Sequence, residues 1–131
     1  PKMQYDPVKA FAPVTLIATT PMILVTHPSL RLKNLKDFLA YAAARPGKLN
    51  YASGGIGTPQ QFAGELLKMS AKLDMNHVPY KSGGLQVVGI VGGEVLCGFA
   101  ALLPALPHVK SGRLDGIAVS SIKRSSSMPE I

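Results

Sequence analysis

LNYASGGIGTPQQFAGELL, residues 49–67, joins two local patterns through a glycine-rich turn. Residues 49–53 are short, apolar and strand-like. Gly54, Gly55 and Gly57 then fall within four positions, and Thr58 opens a helical stretch that runs to about Leu73. Thr58 is a good N-cap, and Pro59 at the first helical position gives up an N–H that has no helical partner anyway. Gln61, three residues beyond Thr58, has the spacing of a capping box. The glycines permit positive φ and a close approach to the backbone. The helix start offers free N–H donors and about half a positive charge. Together these features make a site for a carboxylate or a phosphate, built from Ser53, Gly54, Gly55, Ile56, Gly57, Thr58, Pro59 and Gln60. The same glycines also suit a tight turn with no ligand, and the stretch alone leaves both readings open.

Outward from this unit, strands and helices alternate. Residues 11–18 and 22–26 read as apolar strands, separated by Thr19-Thr20-Pro21. Asn34 is an N-cap for a helix in which Leu35, Phe38, Leu39 and Ala42 recur at helical spacing, ended by Arg45-Pro46-Gly47. Beyond Thr58, Phe62, Ala63, Leu66, Leu67 and Leu73 fall mostly on one side of the helix. Residues 76–80 read as a strand, 85–91 as a short helix or turn weakened by Gly89, and 95–100 as a strand. Residues 101–110 read as a helix interrupted by Pro104 and Pro107, and 113–120 as the last strand. The polar residues 120–129 read as a connector. No repeat or low-complexity stretch appears. This alternation predicts an α/β fold, with a mostly parallel or mixed central sheet flanked by helices.

Ligands of such sheets bind beyond the C-terminal ends of the strands. A second glycine-bearing loop, Tyr80-Lys81-Ser82-Gly83-Gly84, is expected to open on the same edge. Lys81 and the Ser82 hydroxyl would each add a charge-assisted bond of roughly 1.5–3 kcal/mol there. For Lys81 alone, an exposed lysine on a turn is the simpler reading.

Composition narrows the function classes. The 131 residues carry a net charge of +7 and fit one domain or one lobe. Hydrophobic residues make up 47% and charged residues 16%, which is globular rather than disordered composition. The basic residues are scattered, the densest group being Lys123-Arg124, and there is no tryptophan, so nucleic-acid binding is disfavoured. The excess charge still favours small anions. The single cysteine, Cys97, lies in an apolar run and reads as a buried thiol. No stretch is long and apolar enough to span a membrane. No signal peptide is visible, and both ends read as the interior of a protein, which predicts a fragment. His27, His77 and His108 lie far apart and have no metal-ligand spacing, so neither a metal nor a cofactor is expected. No nucleophile, base and orienting acid assemble from local patterns, and Glu65 reads as solvated or capping. A Walker P-loop is excluded because no Lys-Ser/Thr follows the glycines. The dinucleotide fingerprint is excluded by the glycine spacing.

Four stretches carry a resemblance to a known family. They are YDPVKAFAPVTLIATTPMILVTHPSL (5–30), ARPGKLNYASGGIGTPQQFAGELLK (44–68), MNHVPYKSGG (75–84) and LPALPHVKSGRLDGIAVSSIKRSSSMPEI (103–131). In order and over essentially the whole chain, they resemble the substrate-binding receptors of tripartite tricarboxylate transporters, the Bug-family periplasmic binding proteins. The resemblance implies one lobe, residues 1–131, of a two-lobed type II receptor, with residues 120–131 leading toward the first lobe. It implies capture of a small organic carboxylate in the periplasm and delivery to membrane permease subunits. It also implies that the loop at residues 53–58, with the helix behind it, holds one ligand carboxylate. Thr20, Lys81, Ser82 and Ala100 are weaker ligand-binding candidates. Family members often carry an acid at the position of Ala100, proline at Gly84 and histidine at Gln61. The loss of the acid is expected to change ligand preference, and Gly84 to loosen the second loop.

Three rival readings remain. The chain would suit a sensory ligand-binding module of a signalling system. It would suit an interaction module that forms homodimers through an exposed inter-lobe surface. Less well, it would suit an enzyme acting on an anionic substrate.

Overall fold

A computed structural model describes residues 3–6, 8–124, 128, 129 and 131. Five strands form one sheet: β1 (Met22–Thr26), β2 (Leu49–Ser53), β3 (Met75–Pro79), β4 (Cys97–Ala101) and β5 (Asp115–Val119), in the order β3-β2-β4-β1-β5. β2 pairs parallel with β3 and with β4, whereas β1 pairs antiparallel with β4 and β5. Four strands therefore share one direction and β1 alone runs against them. The sheet is mixed, one of the two forms expected.

Four helices cover the sheet: α1 (Leu35–Ala43), α2 (Pro59–Ala71), α3 (Gly83–Val91) and α4 (Leu102–Lys110). Alternation along each strand divides the core between two faces. Ile23, Val25, Ala52 and Ala100 pack with Val87 and Ile90 of α3 and Ala105 of α4. Leu24, Tyr51, Met75, Cys97 and Ile117 pack with Phe38 and Ala42 of α1 and with Leu73 just beyond α2. Burial pushes the Cys97 thiol up to about 12. None of the described helices is long and apolar enough to cross a membrane.

Local signals set most boundaries. The Asn34 side chain caps α1 by accepting from the Asp37 N–H at 2.9 Å. α4 runs unbroken through Pro104 and Pro107. Pro104 lies in the first turn, where a missing N–H costs no bond. Gly89, expected to weaken α3, is there for packing, because a side chain at that position would overlap the Tyr80 ring.

One expectation is corrected. Residues 11–18 form no strand; they are exposed and irregular, and among the described residues no strand pairs with them. Without a ladder or a core partner, nothing offsets the entropy of ordering them. The apolar side of α2 is divided: Leu67 and Ala71 pack against the core, whereas part of it is turned to solvent. Phe62, Leu66 and Met69 are exposed at 65%, 65% and 77%. α2 sits on Tyr51 through Gly64, where any side chain would overlap the ring, and turns Gln61, Glu65 and Lys68 toward β2 and β3. Within the expected connector, Met128 is fully buried in the α3–α4 core, and Ile131 packs against Gly116. Ser125, Ser126, Ser127 and Glu130 of that connector lie outside the described residues.

Gly64→Ala separates packing from propensity. Alanine is favoured by about 1 kcal/mol in a helix interior, but overpacking against Tyr51 costs about 1–3 kcal/mol. Urea unfolding is expected to show a net loss of stability. A gain would mean that α2 does not rest on Tyr51.

Candidate functional site

The helices that follow β2 and β4 leave in opposite directions. α2 lies on one face of the sheet and α4 on the other. β2 and β4 are neighbours, so their C-terminal ends flank a topological switch point, where loops diverge and leave a crevice. The strands separate there: their register pairs only Tyr51 with Cys97 and Ala52 with Gly98. Gln86 of α3, fully buried, bridges the gap by donating to the Ala52 carbonyl at 3.1 Å and the Phe99 carbonyl at 2.6 Å.

Three helices begin at this edge. Thr58 caps α2, and its Oγ1 accepts from the Gln61 N–H at 3.4 Å. Ser82 caps α3, and its Oγ accepts from the Leu85 N–H at 3.2 Å. α4 starts after Ala101 with no side-chain cap. The aligned N-terminal ends give the edge a positive field with no cation required.

The two glycine loops touch. A Cβ on Gly54 would lie 2.9 Å from the Gly83 nitrogen, so only glycine allows this approach. The Tyr80 N–H donates to the Ser53 carbonyl at 2.9 Å. Gly55 and Gly57 adopt φ of +135° and +79°, conformations that side chains other than glycine's rarely take.

Inside the first loop the hydroxyls are already engaged. Ser53 is fully buried; its Oγ accepts from the Gly55 N–H at 3.1 Å and lies 2.6 Å from His77 Nε2. Thr58 Oγ1 donates to the Gly55 carbonyl at 2.7 Å. The Gln61 side chain departs from the capping-box expectation, because it accepts from the Gly57 N–H at 2.7 Å rather than from Thr58. Among the described residues, the N–H groups of Ile56 and Thr58 donate to no protein acceptor. These donors, with the Gln60 N–H in the first turn, lie at the positive end of α2 and are open to a ligand.

The other expected residues are distributed unevenly. Thr20 lies just before β1, whose start is level with the end of β4, so it belongs to the same edge. Lys81 is exposed on the second loop, and the Ser82 hydroxyl serves the cap. Ala100 is 1% exposed and packs in the α3–α4 core, so the structure does not bring it to the loop surface.

A polar cluster missed in the sequence lies beneath the loop. His77 of β3 stacks on Tyr51 of β2 with ring centroids 5.0 Å apart. Its Nδ1 lies 3.3 Å from Gln61 Nε2. Glu65 is not simply solvated: it accepts from the Tyr51 hydroxyl at 2.5 Å and from Lys68 Nζ at 3.2 Å. The Tyr51 bond, more than Lys68, holds the Glu65 carboxyl below the ordinary carboxylate range. Burial, then Glu65, pushes the Tyr51 phenol far up. Burial leads in lowering His77, with Lys68 adding to it and Glu65 opposing it. The available signal was period-two alternation, which sets Tyr51 and Ser53 on one face of β2. The partner residue 24 positions later in the chain appears only once β3 pairs with β2 in register.

A Ser–His pair at 2.6 Å is also the spacing of a nucleophile and its base. Here Ser53 is fully buried and pinned to the Gly55 backbone, and His77 Nδ1 meets an amide rather than an acid. Among the described residues no group of His, Cys, Asp or Glu is placed to hold a metal ion.

Comparison with known proteins agrees with this architecture. The chain belongs to the family described as the tripartite tricarboxylate transporter family receptor, which it matches over residues 1–131. It is similar to protein BugT of Bordetella pertussis, with 31% identity over all of this chain and 40% of that protein. Two solved structures share the fold. Rpa4515 of R. palustris, solved with adipate, is 30% identical at a TM-score of 0.83, over 94% of this chain and 41% of that one. MatC (Rpa3494) from Rhodopseudomonas palustris, solved with bound malate, is 27% identical at a TM-score of 0.84, over 100% of this chain and 45% of that one. The chain thus spans about 40% of the length of the relatives it matches.

Gly54→Ala tests the contact between the loops. It is expected to cost about 1–3 kcal/mol by overpacking and to shift the backbone amide resonances of Ser82, Gly83 and Gly84. Unchanged resonances would show that the loops are independent.

Proposed function

We propose that the chain is the ligand-binding lobe of a periplasmic receptor that captures small organic carboxylates for a tripartite tricarboxylate transporter. One carboxylate sits at the start of α2, between Gly54 and Gln60, and accepts from the Ile56 and Thr58 N–H groups. Ser53 and Thr58 shape the loop from inside, and Thr20, Lys81 and Ser82 contribute from the same edge. The observation that carries this reading is the convergence of three helix N-termini on the β2–β4 switch point. Two carboxylates, adipate and malate, in the solved relatives support the ligand class.

The loop is open, which fits half of a site. Clefts of the described residues lie elsewhere, one beside Tyr41, Arg45 and Glu94 and another between α1 and α2. In the longer receptor, a first lobe closes onto this edge and supplies the remaining contacts. Ligand is held by hydrogen bonds and field, with no covalent change, and is passed to membrane permease subunits.

Isothermal titration of the full-length receptor against mono-, di- and tricarboxylates and inorganic phosphate tests the assignment. One carboxylate class is expected to bind. Gly57→Asp, which sets a carboxylate in the anion position, is expected to weaken binding roughly a hundredfold or more with an unchanged far-UV circular dichroism spectrum. Binding of phosphate alone, or carboxylate binding indifferent to the substitution, would overturn it.

A further inference from the structure

The hydrogen bonds beneath the loop run in one direction only. A backbone N–H can only donate, so the Gln61 atom 2.7 Å from the Gly57 nitrogen is the amide oxygen. The Gln61 NH2 therefore faces His77 Nδ1 at 3.3 Å. An NH2 donates, so Nδ1 must present its lone pair, and the one proton of the neutral ring lies on Nε2. That proton points to Ser53 Oγ at 2.6 Å. Ser53 Oγ also accepts from the Gly55 N–H and donates its own proton to the Gly55 carbonyl at 3.0 Å. Each donor meets an acceptor, and only one tautomer of one charge state satisfies them all.

We propose that His77 is the positioning residue of the glycine loop: as the neutral Nε2–H tautomer it aligns Ser53 and Gln61, which fix the Gly55 and Gly57 amides, and protonation unfastens the Gly57 end. A second proton on Nδ1 points at the Gln61 NH2, donor against donor. Turning the amide over only moves the conflict, because the NH2 then faces the Gly57 N–H. One bond is lost in either arrangement. The groups facing the ring are Tyr51 and Ser53 from β2 and Gln61, Glu65 and Lys68 from α2. Glu65 favours the charged ring, whereas Lys68 and burial oppose it, and burial is the largest of the three. The ring is therefore neutral at pH 7, and the bond network is complete there.

The sign for stability follows. The unfolded imidazole has a pKa of about 6.5, and the folded one lies lower. The unfolded chain binds more protons between the two values, so this contribution is complete above about pH 6.5 and is lost as pH falls through the folded value.

The test is nitrogen-15 NMR of the full-length protein without ligand. Its result is independent of whether the loop is the anion site, although the consequence for ligand capture rests on that reading. At neutral pH His77 is expected to show the Nε2–H tautomer. On acidification the Gly57 amide shift is expected to follow the His77 titration. Gly57 exchange, corrected for its intrinsic pH dependence, is expected to speed up roughly fivefold, the loss of one ordinary hydrogen bond. Gln61→Glu offers an oxygen to both neighbours and removes the conflict. In that variant the His77 pKa is expected to rise, and the Gly57 amide to stop following it. An Nδ1–H tautomer at neutral pH, or a Gly57 amide indifferent to the His77 titration in the parent protein, would overturn the proposal.

Discussion

The close approach of α2 to β2 sets everything at the C-terminal edge of the sheet. It exists because Gly64 has no side chain above the Tyr51 ring. A helix held that low brings Gln61 and Glu65 within bonding distance of groups on β2 and β3, and sets Thr58 at the mouth of the β2–β4 crevice. It also accounts for the burial pattern of α2. The face toward the sheet mixes Gly64 and polar Gln61, Glu65 and Lys68 with Leu67 and Ala71, and Phe62, Leu66 and Met69 are turned away. A helix sitting higher would bury more apolar surface but would lose the cluster that supports the loop.

The loop itself is held by two kinds of constraint. The positive φ values at Gly55 and Gly57 and the backbone contact at Gly54 are steric and depend on missing side chains. The bonds from Ser53, Thr58 and Gln61 are polar and use up some of the donors that a helix start leaves free. What remains open is narrow: the N–H groups of Ile56, Thr58 and Gln60, backed by the field of α2, with α3 and α4 starting beside it. In the proposed binding mode, a compact anion is recognised by geometry rather than by a buried countercharge, which avoids the desolvation cost of a buried cation. The overall charge of +7 adds a long-range pull.

The strand–loop–helix unit at residues 49–71 was legible because its signals are local. Thr58, Pro59 and the glycines each act within a few residues. The α/β class followed from alternation. The antiparallel direction of β1 was not legible, because pairing direction depends on contacts far along the chain. Residues 11–18 look like a strand in composition, yet among the described residues no neighbour pairs with them. The direction in which Phe62 and Leu66 point was not legible, because periodicity finds an apolar face but not what it faces. His77 escaped notice for a related reason. Its meaning comes from register with Tyr51 and from one turn of α2, neither of which is visible from the histidine itself. Ala100, weighed because relatives often carry an acid there, is packed in the core.

The most direct measurement is a crystal structure of the full-length protein with a saturating dicarboxylate. The account predicts a carboxylate oxygen at ordinary hydrogen-bond distance, about 2.7–3.2 Å, from the Ile56 and Thr58 nitrogens, with Ser53, Gln61 and His77 still bonded beneath the loop. A ligand seated away from the start of α2 would contradict it.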